Sequence, residues 1–449
     1  MKEGDSLCDS VSVEYNITKK MEQLNSSDHT SAEEKTDVRK PEQIEESDGD
    51  VLINPDPDEF ELNLTDLPEE ILIHIASFVE SRVIISALYG TCRLFYALFS
   101  DERYWKTRIA QTFHKSYPIF ETKGFNWRRA CMEREELHDL WSNPGKNFDH
   151  FIVNQGFFAA VDVVHLMKEG RYLVTGSRDR YMNILDLSKH STEAQQQSDD
   201  FTVFHDDKTH KGWVWSMASQ GDSLVTGSWD TYIRMWDTGD GNVALTYDKK
   251  LKTPVLGLYY EPNFIAAGGF DKRLHMFDPR SPDEPMRKCY HTHPLLCVTG
   301  DDKYIISGSE DKVISIYDRT AGKKYKQIKM ESMVLSLSYG GGQLWVGDKQ
   351  GNLRVLDARD ALFDENNIQT IDVGHSGKLT GLIHTDGGVF TCCSDSKVKV
   401  IEPCLDADVI TTLNAHSGEV AGISYNNGVL ASAGADITVG VWLPKTRAF

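Results

Sequence analysis

Leu224-Val225-Thr226-Gly227-Ser228-Trp229-Asp230-Thr231-Tyr232-Ile233-Arg234-Met235-Trp236-Asp237 alternates two β-rich runs around an Asp-centred turn. Its last position recurs at Asp186, Asp237, Asp278, Asp318, Asp357, Glu402 and Leu443, in steps of 51, 41, 40, 39, 45 and 41 residues. Seven residues earlier stand Asp179, Asp230, Asp271, Asp311, Gln350, Asp395 and Asp436. Small residues, among them Gly176, Gly227, Gly268, Gly308 and Gly347, stand ten residues before the recurrent position. Thirteen residues before those come Val163, Val214, Val255, Leu295, Val334, Leu379 and Val420. A period of about 40–45 residues with four short strands per unit is that of a β-propeller blade, and seven units follow one another here.

This pattern resembles the WD-repeat family over residues 147–449 and implies a seven-bladed propeller. In complete repeats of that family the turn Asp meets a His, a hydroxyl and a Trp. The matching sets are His210, Thr226, Asp230 and Trp236 in blade 2, and His416, Ser432, Asp436 and Trp442 in blade 7. His291 and His375 suit blades 4 and 6. Tandem copies at one offset describe a scaffold rather than a catalytic His–Asp–Ser set. Pro444–Phe449 is too short for a loop and an outer strand. The β-rich Phe148-Asp149-His150-Phe151-Ile152-Val153 is therefore expected to close the ring as the outer strand of blade 7.

Upstream, composition shifts twice. Residues 1–60 hold 17 acids and 6 bases, too few apolar groups to offset ordering entropy, and are expected to be disordered. Residues 61–110 are dense in Leu, Ile, Phe and Tyr. Leu67-Pro68-Glu69-Glu70 opens a helix, and Ile71, Leu72, Ile75 and Phe78 give it an apolar stripe. Residues 111–146 read as a helical connector, with a helix over 126–141 ended by Asn143-Pro144-Gly145.

From Leu67-Pro68 to Asp101…Trp105, this segment resembles the F-box. The order of tail, F-box, connector and propeller is similar to that of the F-box/WD-repeat family. The resemblance implies a non-catalytic substrate-recognition subunit of a Skp adaptor–cullin–F-box ubiquitin ligase. Its F-box would bind a Skp-type adaptor and, through it, cullin and a RING protein. Leu67, Pro68, Ile71, Leu72, Ile75, Phe78 and Trp105 are the expected adaptor anchors. The alternative is a WD scaffold that binds the adaptor, or other protein partners, without changing any protein's lifetime.

The blade register also nominates a partner-binding face. Trp213, Trp215, Trp229 and Phe270 fall in one sector, with the basic residues Arg178, Arg180, Lys272 and Lys312 around it. Only two of these cations are Arg, which favours an apolar anchor over a phosphate-reading site.

The whole chain carries 48 basic and 68 acidic residues, net −20, which argues against nucleic-acid or acidic-membrane partners. Eight cysteines without a CxxC, no phosphate loop and no zinc spacing point to reduced thiols, no metal, no cofactor and no enzyme activity. No leader or membrane span is read, so an intracellular protein of cytoplasm or nucleus is expected.

Overall fold

The computed structural model describes residues 63–190, 201–239, 242–281, 283–414 and 416–446. The expected acidic tail lies outside the described residues. The helical part comprises α1 (Glu69–Ser77), α2 (Ser81–Val83, running into a π-helical turn over Ile84–Leu88), α3 (Arg93–Ser100), α4 (Glu102–Phe113), α5 (Trp127–Ser142) and the single turn α6 (Pro144–Asn147). Pro68 precedes α1 with extended geometry, and Glu69 and Glu70 place negative charge at its N-terminal end. Asp101 and Asn126 cap α4 and α5 by accepting from Arg103 N and Arg129 N.

Seven four-stranded antiparallel sheets follow. Six are consecutive in sequence. The seventh combines Val420–Asn426, Val429–Gly434 and Val439–Pro444 with Phe148–Val153, which pairs Phe148 with Pro444 through Val153 with Val439. The ring is thus closed by its first strand, as the short C-terminal remainder implied. The strand after each turn Asp starts from a left-handed residue: Arg180, Thr231, Lys272, Lys312, Ser396 and Ile437 all have positive φ, and blade 5 uses Gly351.

Every blade carries a β-bulge at the start of its inner strand, for example between Val214 and Ser216. The bulge corrects the register in blade 1. There Val161, not Val163, pairs with Ser177 as Val214 pairs with Ser228. The hairpin Met167–Tyr172 is two residues longer than its counterparts, so a fixed offset overshoots. Val164 is accordingly buried.

Helix α5 joins the two parts. Trp127 and Cys131 enter the core of Leu72, Ile84, Phe99, Trp105 and Ile109. Leu137 and Trp141 enter the core of blades 6 and 7, where Trp141 lies 4.2 Å from Phe148 and 5.8 Å from Phe390 between ring centroids. The helix approaches so closely that a Cβ on Gly387 would stand 2.5 Å from the Glu133 carbonyl oxygen. Lys115 Nζ bonds Glu402 and Asp408, each at 2.5 Å, and the Tyr117 hydroxyl donates to the Asp386 carbonyl at 2.7 Å.

One buried ion pair organises the helical part. Arg108 donates to Glu135 at 2.6 and 3.0 Å, and also to the Ala76 and Val79 carbonyls at 2.8 and 2.7 Å, at the C-terminal end of α1. Glu135 accepts from Ser81 N at 3.0 Å, at the start of α2. Cation and anion thereby satisfy opposite helix ends. Burial alone would raise the Glu135 carboxyl, but the bonds from Arg108 and Ser81 outweigh it and hold it below its ordinary range. Glu135→Ala would strand the buried guanidinium and should cost about 3–5 kcal/mol, read by chemical denaturation. Glu133→Ala, which removes only an exposed-side pair with Arg129, should cost less than about 1 kcal/mol in the same assay.

Candidate functional site

The expected adaptor anchors divide into two groups. Pro68, Ile71, Ile75 and Phe78 face solvent, with Phe78 80% exposed. Ile71, Ile75 and Phe78 follow i, i+4, i+7 spacing, so they form one stripe along α1. Leu67 is half-buried against the module's core.

Leu72 and Trp105, by contrast, are 3% and 1% exposed. The Trp105 indole donates to the Phe99 carbonyl at 2.9 Å. These two residues build the core that supports the face and present no surface to a partner. Four apolar positions in the first two turns of one helix cannot be assigned to inside or outside until the packing partner is known. Leu64, Val83 and Tyr96 are exposed apolar residues of this module that the stripe reading missed. They lie outside α1, so its periodicity gave no signal for them.

On the propeller, Trp236 Nε1 donates to Thr226 Oγ1 at 3.0 Å, and Thr226 Oγ1 lies 2.8 Å from His210 Nε2. His210 Nδ1 lies 3.0 Å from Asp230 Oδ2. One donor direction, Trp to Thr to His to Asp, satisfies every group with a neutral imidazole and an ionised carboxylate. Asp230 also accepts from the backbone of Lys211 and Tyr232, fixing loop and turn together. Burial opposes its charge, but these bonds prevail and set its pKa at about 2.

His291–Asp311–Ser307, His375–Asp395–Thr391 and His416–Asp436–Ser432 repeat the His–Asp–hydroxyl core in blades 4, 6 and 7. Trp442 stacks on His150 of the closing strand at 4.8 Å. Blade 3 uses His275, four residues after Asp271, and blade 5 moves the turn carboxylate from position 350 to Asp348, which accepts from Gln350 N and Asn352 N. Fixed-offset reading cannot find such substitutes.

Among the described residues, His375, Cys393 and Asp395 have donor atoms within 4.8 Å of one another. All three are already engaged in the blade 6 turn, where Cys393 Sγ accepts from Asp395 N as Ser228 Oγ does from Asp230 N in blade 2. The arrangement is the scaffold motif with sulfur in place of oxygen.

The four aromatic residues nominated on blades 2 and 3 do converge. Ring centroids are 5.5 Å apart for Trp213 and Trp229, 5.8 Å for Trp215 and Trp229, and 5.9 Å for Trp229 and Phe270. Trp215 is the bulge residue, which turns it towards its neighbours. Trp213 and Phe270 are exposed, and Trp215 and Trp229 are half-buried. The Arg178 guanidinium lies 5.1 Å from the Trp213 ring and is held by Asp162 at 3.0–3.1 Å. Arg180, Lys272 and Lys312 are exposed. Lys312, in blade 4, lies one blade beyond Phe270 and is the outermost of the nominated cations.

Asp230→Ala should lower stability by about 2–3 kcal/mol, the worth of bonds to a buried charge, with the loss measured by denaturant titration. The pH profile of the intact chain should show two stages. Burial lowers the pKa of His165 and His384 to about 4, and also depresses His210, His291 and His375. Their contribution is present above about pH 6.5 and lost as pH falls below it. Asp230 and its depressed counterparts contribute above about pH 4, and this second contribution is lost towards pH 2. Stability that is flat from pH 7 to 4 would contradict this assignment.

Comparison with known proteins agrees with both parts of the architecture. Residues 64–111 match the F-box-like family model, and residues 202–237, 284–318 and 407–442 match the WD domain, G-beta repeat. F-box/WD repeat-containing protein 9 of Homo sapiens is 34% identical over 384 residues, covering 85% of this chain and 83% of that protein. F-box/WD repeat-containing protein mec-15 of Caenorhabditis elegans is 24% identical, covering 72% and 80%. Among solved structures, the computationally designed Ika8 protein aligns with a TM-score of 0.50 at 16% identity, covering 64% of this chain and 98% of its own; it shares the fold alone. No described helix is long and apolar enough to cross a membrane. With an F-box-like segment, a seven-bladed ring and a relative matched over most of its length, the chain belongs to the F-box/WD-repeat protein family.

Proposed function

We propose that this chain is the substrate-recognition subunit of a Skp adaptor–cullin–F-box ubiquitin ligase. The carrying observation is the solvent-facing stripe of Ile71, Ile75 and Phe78 beside Pro68, on a module whose core is already complete without it. An apolar stripe on so small a module calls for a partner, and the F-box-like segment supports a Skp-type adaptor in that role. Cullin and RING protein would be reached through the adaptor. The propeller would hold a protein substrate through its aromatic sector. Ubiquitin transfer would then be promoted by proximity, with the chemistry residing in other subunits.

The test is affinity capture from cells with the proteasome inhibited, comparing the intact chain with Ile75→Ala/Phe78→Ala and with Trp105→Ala. The surface double variant should lose adaptor and cullin while keeping its melting temperature. Trp105→Ala should lose both adaptor and the helical module's stability. Retention of the adaptor by the double variant would overturn the assignment. Captured partners whose lifetimes do not respond to the chain would instead favour the non-degradative scaffold.

A further inference from the structure

The aromatic sector of blades 1–3 has a charge environment opposite to that of the chain. The chain is net −20. Yet Arg180, Lys208, Lys211, Lys252 and Lys272, in the loops and turns of blades 1–3, are all exposed, and none is in an ion pair among the described residues. The acids nearby are mostly committed. Asp162 holds Arg178, Asp206 accepts from Lys208 N, and Asp230 and Asp271 hold their turns. Asp207 in these loops and Glu419 of blade 7, which acts on Asp162 and Arg178, are the exposed acids left over.

The rings themselves are incompletely satisfied. Trp229 Nε1 is enclosed without a hydrogen-bond acceptor among the described residues. A buried donor without a partner is costly, so an occupant that parts the rings and supplies an oxygen gains from doing so.

We propose that this sector binds a linear segment of a protein partner in which one large apolar side chain is flanked by carboxylates. The inference rests on the propeller being the partner-binding part of the molecule, and it adds the chemical class of what is bound. The apolar side chain packs among Trp213, Trp229 and Phe270, where desolvated aromatic contacts concentrate binding energy. The flanking carboxylates meet the cations. Carboxylates fit better than a phosphate for a geometric reason. The cations are spread over three blades as separate point charges, and the guanidinium nearest the rings, Arg178, is already held by Asp162 at both Nε and Nη2. Arg180 is the one nominated Arg of the sector outside an ion pair, and phosphate capture favours several Arg forks converging on one point. Spread charges suit an extended segment bearing several acids.

The test is selection of short peptides from a random display library on the full chain, followed by affinity measurement on the parent, Trp229→Ala and Lys211→Glu/Lys272→Glu. Enriched peptides should combine Trp, Phe or Leu with neighbouring Asp or Glu. Each variant should weaken them by about tenfold or more, and added salt should weaken binding to the parent. Exchanging an acid for phosphoserine should give no comparable gain. The proposal fails if enriched peptides are neutral or basic, if none is enriched, if both variants bind like the parent, or if phosphoserine strengthens binding by about tenfold. Adaptor capture by the same preparations separates the two readings. Peptide binding without adaptor overturns only the ligase assignment, and adaptor without peptide binding overturns only this one.

Discussion

The Arg108–Glu135 pair is the constraint on which the relation between helices and propeller depends. Glu135 belongs to α5, whose other half is buried in blades 6 and 7. Arg108 belongs to α4 and reaches the end of α1, the helix that bears the solvent-facing stripe. Hydrogen bonds therefore tie the end of α1 to α5, and apolar packing ties α5 to the ring. Charges taken out of water this far hold together only with near-complete hydrogen bonding, and here the geometry provides it. The result is a frame rather than a tether: a movement of α1 relative to α5 must break several bonds at once.

The propeller side of the frame is fixed by closure and repetition. Phe148–Val153 lies directly after α6 and completes blade 7, so the connector enters the ring through the strand that closes it. Trp141 packs on Phe148 at that entry. Around the ring, each turn carboxylate gathers backbone and side-chain donors from its own loop. Four blades add a histidine bridging to a hydroxyl of the neighbouring strand. These local locks hold the loops that carry the aromatic and basic residues.

Much of this was legible in the sequence because the repeat has a fixed offset. The WD-repeat resemblance, laid on that register, put Asp230, His210 and Thr226 together, and the register itself put Trp213, Trp229 and Phe270 in one sector. Legibility ended where the offset changed. The longer hairpin of blade 1 displaced Val161 by two positions, His275 replaced a loop histidine from an adjacent strand, and Asp348 took over from Gln350. The helical module was harder for a different reason. Its helices have apolar residues on several sides, and only packing decides that Leu72 faces in while Ile71 and Ile75 face out. The Arg108–Glu135 pair joins residues 27 apart whose partners are mainly backbone carbonyls and an amide. No side-chain pattern announces such a contact.

The rigidity of the frame is the central claim, and the most direct measurement is the distance distribution between a spin label on α3 and one on the outer strand of blade 3. It should be read by double electron–electron resonance on the full chain bound to its adaptor. The account predicts one narrow distance in the parent and a broadened distribution in Glu135→Ala. A broad or multimodal distribution in the parent would contradict it.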